Sequence, residues 1–141
     1  MNLEILTPDI TRKILLPFLY NQISAGFPSP ALDYIEQRLD LNQYLIEHPN
    51  STFIIRVTGC SMIDDGINDN DLLIVDKSRE PVMGQIVIAE VNGQFTVKRI
   101  EKIKGKPYLV AANKKYDPIP INEETELMIW GVVTFSIHKT I

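Results

Sequence analysis

From Thr52 onward the chain breaks into short β-branched and aromatic runs separated by Gly, Pro, Asn and Asp, and no other feature restricts its possible folds as much. The runs cover 53–57, 72–75, 86–91, 95–100, 108–111 and 128–137. Each has the length of a strand, and such side chains suit a pleated, half-buried surface. Between the third and fourth runs lies Asn92-Gly93, the dipeptide that most readily accepts the two positive φ values of a two-residue hairpin. The pattern predicts a mainly β fold, a β-sandwich or small, partly closed barrel, preceded by a short N-terminal arm. A length of 141 residues suits one ordinary domain, and 45% hydrophobic against 23% charged residues permits a real core.

The arm, residues 1–25, is rich in large apolar side chains, among them Leu3, Ile5, Ile10, Ile14, Leu16 and Phe18, so it is expected to pack rather than trail. Thr7, Pro8 and Asp9 predict a helix start, limited downstream by Pro17. One broken helix leaves no room for a helix-turn-helix, which needs two packed helices. Gly26-Phe27-Pro28-Ser29-Pro30 reads as an extended linker, because proline removes amide donors and restricts the residue before it. Residues 31–46 place Leu32, Ile35, Leu39, Leu41, Tyr44 and Leu45 at spacings of short amphipathic helical turns, ended by Pro49. The expected division is therefore 1–30, arm and linker, and 31–141, the β domain.

Charge narrows the function. Fourteen Lys and Arg against 18 Asp and Glu give a net charge of -4, which argues against holding nucleic acid directly by phosphate neutralisation. No direct sequence-specific DNA binding is expected. The longest apolar run, 14–20, falls far short of the ~20 residues that span a bilayer. Its likeness to a secretory signal is poor, since Glu4 and Asp9 acidify the leader. Cys60 is the one cysteine, so neither an intramolecular disulfide nor a cysteine-pair zinc site can form. A cytoplasmic protein without a membrane partner is expected.

Chemistry concentrates in Thr58-Gly59-Cys60-Ser61-Met62-Ile63-Asp64-Asp65-Gly66. A serine at a strand end, surrounded by outward-turned amides, is what an acyl-transfer nucleophile and its oxyanion hole require. The same pattern also occurs where a serine only satisfies local backbone. For a base, His48 and His138 come with no evident orienting carboxylate. A lysine kept neutral by burial can serve instead, and Lys98 lies inside the run 95–100, on the face shared by Thr96 and Ile100. Its bland alternative is an edge-strand lysine that discourages aggregation. Cys60 competes with Ser61 as nucleophile, against the reading of a lone cysteine as a small buried hydrophobe, and Asp64, Asp65, Asp69 and Asp71 lack calcium-loop spacing and read as solvated turn carboxylates. No metal or cofactor is expected.

Gly26-Phe27-Pro28-Ser29-Pro30-Ala31, Tyr34-Ile35-Glu36-Gln37-Arg38-Leu39, Gly59-Cys60-Ser61-Met62-Ile63-Asp64, Asp71-Leu72-Leu73-Ile74-Val75-Asp76 and Phe95-Thr96-Val97-Lys98 together resemble the LexA/UmuD family of self-cleaving serine peptidases, over nearly the whole chain. The resemblance implies a LexA- and signal-peptidase-like β fold, Ser61 as nucleophile, Lys98 as general base and self-cleavage at Ala25-Gly26. It also implies cleavage stimulated by a RecA filament on single-stranded DNA, a homodimer, and a shortened form that joins a UmuC-type Y-family polymerase in SOS mutagenesis. UmuD proteins often carry cysteine before the cleavage-site glycine, whereas Ala25 stands here. The oxyanion is expected on backbone amides near Ser61 and Met62. Cys60 gains no catalytic role from the resemblance. Rival readings are a noncatalytic polymerase-binding scaffold of the same fold and a signal-peptidase-like hydrolase acting on other proteins. Glu4 and Asp9 balance Arg12 and Lys13, so losing the arm is expected to change exposed apolar surface rather than net charge.

Overall fold

A computed structural model of the chain describes residues 2–18 and 37–141. Ten strands occur among them: β1 Asn2–Leu6, β2 Leu15–Phe18, β3 Gln37–Asp40, β4 Thr52–Thr58, β5 Leu72–Asp76, β6 Ile86–Val91, β7 Gln94–Ile103, β8 Lys106–Val110, β9 Ile119–Pro120 and β10 Leu127–Ile137. One helix, α1, covers Leu41–Leu45, capped by Asp40, whose carboxylate accepts from the Asn42 amide at 3.1 Å. None of the helices among the described residues is long and apolar enough to cross a membrane.

Eight strands form one antiparallel sheet in the order β1-β4-β5-β10-β6-β7-β8-β9. β1 also approaches β7, which curls β1, β4, β5, β10, β6 and β7 towards a barrel. The mainly β, partly closed barrel expected from the strand pattern is thus the architecture found. Asn92 and Gly93 turn between β6 and β7 with φ of 48° and 80°, the left-handed pair a tight hairpin needs. β10 runs between β5 and β6 and shifts register at Ile129/Gly131 and at Val133/Phe135. Such bulges bend a strand and increase its twist, which helps the sheet curl.

Alternation divides the core between the two faces of the sheet. Ile55, Val57, Leu73, Val75, Ile88 and Val97 form one cluster, plugged by Met62 and Ile67 from the loop after β4. Val87, Ala89, Ile100, Leu109 and Val132 form the second. β6 supplies Ile88 to the first and its neighbours Val87 and Ala89 to the second, so that strand is buried on both sides.

The arm departs from the sequence expectation. Residues 2–6 and 15–18 are strands, and no helix starts at Thr7. Asp9 instead accepts from the amide and hydroxyl of Thr11 at 3.0 and 2.8 Å, a local turn that competes with helix initiation. Gln37–Asp40, expected as helical turns, pairs antiparallel with Leu15–Phe18, so tertiary pairing overrides the local spacing. Leu41–Leu45, later in the same stretch, is helical as expected, and residues 31–36 lie outside the described residues. Contacts divide the chain into two units, Met1–Pro8 with His48–Ile141, and Asp9–Glu47. The first strand of the arm is therefore built into the β unit.

Candidate functional site

Ser61 sits in the turn that leaves β4. Gly59 opens the turn at φ 109°, a conformation that disfavours a side chain, and its amide donates to Asp69 Oδ1 at 2.9 Å. Met62 follows with no exposed surface, anchored in the first core cluster. A 3-10 turn over Ile63–Asp65 then ends at Gly66, φ 79°. Ser61 itself is buried, 3% exposed.

The chain just beyond β8 holds this turn in place. Asn113 Nδ2 donates to the Cys60 carbonyl at 2.8 Å, the Asp64 amide to the Ala112 carbonyl at 2.8 Å, and the Ala112 amide to Met62 Sδ at 3.3 Å. From β7, Arg99 Nε and Nη2 reach Asp65 Oδ2 at 3.0 and 2.8 Å. The serine turn is therefore tied both to the strand containing Lys98 and to the segment continuing from that strand's neighbour.

Lys98 lies mid-strand in β7, opposite Val87, and is 6% exposed. Its Nζ donates to Thr96 Oγ1 at 2.5 Å and to the Val97 carbonyl at 3.2 Å. The side chain thus follows the face shared with Thr96, as strand alternation predicts. Burial disfavours the ammonium and lowers its pKa below the ordinary lysine value. Beside it opens a cavity of about 360 Å³ lined by Gln94, Phe95, Thr96, Tyr116 and Ile119 among others, with the Tyr116 ring 5.9 Å from Nζ. A lysine that is desolvated yet reaches a cleft can exchange a proton with a bound group.

Several sequence expectations require correction. Each histidine has a carboxylate after all: His48 Nδ1 meets Asp76 Oδ2 at 2.6 Å, and His138 Nδ1 meets Asp71 Oδ1 at 2.6 Å. These pairs span 28 and 67 positions, a separation at which no local pattern could reveal them. Neither pair includes Ser61 or Lys98. Asp71 is buried, not solvated, and also accepts from the Asn68 amide at 2.8 Å. Asp65 and Asp69 are exposed, as expected of turn carboxylates, and accept from Arg99 and the Gly59 amide. Among the described residues no cluster of His, Cys, Asp and Glu could hold a metal ion. Cys60 carries a free, exposed thiol. Asn113 is the residue that sequence reasoning missed at this site. The bond Ala25-Gly26 and the linker 26–30 lie outside the described residues.

Comparison with known proteins agrees with this architecture. Residues 17–134 match the Peptidase S24-like family. Protein SamA of Salmonella typhimurium is 48% identical over 124 residues, covering 88% of this chain and 86% of that protein. Protein MucA of Escherichia coli is 44% identical over 123 residues, covering 86% and 84%. LexA repressor 1 of Pseudomonas putida is 37% identical over 146 aligned positions, covering 95% and 72%. The chain belongs to the Peptidase S24-like family, which joins the LexA and UmuD-type proteins that its sequence resembles.

Proposed function

We propose that the chain is an SOS-response serine autoprotease that cuts its own Ala25-Gly26 bond with Ser61 and Lys98. The observation that carries this reading is a buried lysine opening on a cleft, in a strand bonded to the turn that presents a buried serine. Membership of a serine-peptidase family supports it. Neutral Lys98 takes the Ser61 hydroxyl proton as Oγ attacks the Ala25 carbonyl carbon. The tetrahedral intermediate collapses with loss of the Gly26 nitrogen, which receives the proton from Lys98. Water, deprotonated by Lys98, then hydrolyses the acyl ester on Ser61. Backbone amides at Ser61 and Met62, in the turn that carries the nucleophile, are the proposed oxyanion donors.

Stimulation by a RecA filament on single-stranded DNA, dimerisation, a cytoplasmic location and delivery of the 26–141 fragment to a UmuC-type Y-family polymerase complete the proposal. The resemblance to LexA and UmuD-type proteins supports these steps. Mass spectrometry tests the reaction on the full chain and on Ser61→Ala, each incubated at alkaline pH and with RecA, single-stranded DNA and nucleotide. Fragments 1–25 and 26–141 are expected from the full chain alone. Shortening of Ser61→Ala at the same rate would overturn the proposal. An uncut chain under every condition would favour the noncatalytic scaffold.

A further inference from the structure

β1 is the outermost strand on its side of the large sheet, and its backbone pairing is supplied by β4. Five residues pair in antiparallel register, from Asn2 opposite Thr58 to Leu6 opposite Ile54. Leu3 stands opposite fully buried Val57 and packs against the first core cluster. Ile5 stands opposite fully buried Ile55, although Ile5 itself remains 46% exposed. Between them, on the other face, Glu4 Oε2 lies 3.5 Å from Arg56 Nε. The β4 edge therefore selects an extended segment with an apolar, an acidic and an apolar residue at successive positions.

We infer that the outer edge of β4 is a strand-docking site for an extended partner segment of this apolar-acidic-apolar pattern, and that Asn2–Leu6 is its resident occupant. Main-chain pairing at such an edge provides affinity, while alternate side chains provide selectivity. While β1 is covalently attached, its local concentration is high enough to exclude a partner present at ordinary levels. β1 precedes the proposed cleavage bond, so cutting removes that advantage without breaking any β1 pairing. The strand stays seated until a matching segment displaces it, and its departure opens a row of backbone groups and leaves Arg56 without Glu4. The timing rests on the proposed self-cleavage, whereas the docking itself does not.

The test therefore uses the full chain in a Ser61→Ala background, which removes the proposed nucleophile. A fluorescent peptide of residues 1–8 is titrated into this chain and into the same chain carrying Leu3→Ser and Ile5→Ser, which weaken β1. Binding at least tenfold tighter to the weakened chain is expected. Adding Arg56→Glu should lower that affinity about tenfold, and the peptide carrying Glu4→Lys should recover it. Equal affinity for both chains, indifference to the Arg56 charge, equal binding of a scrambled peptide, or self-association of the weakened chain in place of peptide binding would each overturn the inference. Hydrogen exchange of the chain with β1 intact provides a measurement independent of the weakening substitutions. Amides of β1 should exchange at least tenfold faster than the slowest amides of β5, because β1 opens locally. Exchange of β1 only through global unfolding would also overturn the inference.

Discussion

Asp76 ends β5 beneath His48, and replacing it with asparagine tests the electrostatics of the fold within a defined pH window. Burial pushes the Asp76 carboxyl upward, but hydrogen bonds from Ser78, His48, the Ser78 amide and Ser51 outweigh it and lower the pKa from 3.8 to about 2. The contacts are short: Ser78 Oγ at 2.6 Å, His48 Nδ1 at 2.6 Å, the Ser78 amide at 2.9 Å and Ser51 Oγ at 3.2 Å. A folded-state pKa below the unfolded one means that the ionised group stabilises the fold above 3.8. That contribution is lost as pH falls through 3.8 towards 2. At about 1.36 kcal/mol per unit, the shift is worth about 2 kcal/mol at pH 5 and about 1 kcal/mol at pH 3. Urea unfolding of the full chain and of Asp76→Asn at both pH values measures the gap between them. Titrating groups away from Asp76 cancel in that difference, and any pH-independent cost of the amide is the same at both. The gap should shrink by about 1 kcal/mol between pH 5 and pH 3. A gap that stays constant, or widens on acidification, would refute the reasoning.

Self-cleavage should accelerate with pH, by up to about tenfold per unit while the neutral form of Lys98 is the minor species. A flat profile in a mass-spectrometric time course contradicts the proposed base. Lys98→Arg should be inactive across the same range, because a guanidinium stays protonated. Gly131→Ala should destabilise by about 1–3 kcal/mol, because the added methyl would lie 2.7 Å from Val75 Cγ1 inside the barrel; an unchanged urea midpoint would contradict this. Met62→Ala should cost about 2–5 kcal/mol in the same assay, since a fully buried side chain that also accepts from the Ala112 amide is removed. In an assay under conditions where the variant remains folded, it should also slow cleavage by loosening the Ser61 turn.

The sequence alone determines those features of this chain that depend on neighbouring residues. β-Branched runs between turn residues locate β4 to β8 and β10 to within a few positions, and Asn92-Gly93 locates their tight hairpin, because backbone preference and side-chain alternation act over a few residues. Alternation likewise assigns Lys98 to the face of Thr96. What surrounds that face is decided elsewhere in the chain: β6 and β8 flank β7 with buried Val87 and Leu109, and burial lowers the lysine's pKa only once the surrounding fold has desolvated it. The arm carries no comparable local signal, since five residues of β1 are too few to establish a period, and Thr7-Pro8-Asp9 suits a helix that never forms. β1 is a strand because β4 offers it an edge, and Gln37–Asp40 is one because Leu15–Phe18 lies beside it. Asp71 with His138, Asp76 with His48, and Asn113 on the Cys60 carbonyl join residues 28 to 67 positions apart. Polar groups at such separations have no fixed relation along an unfolded chain, and only the register of the assembled sheet brings donor and acceptor within hydrogen-bonding distance.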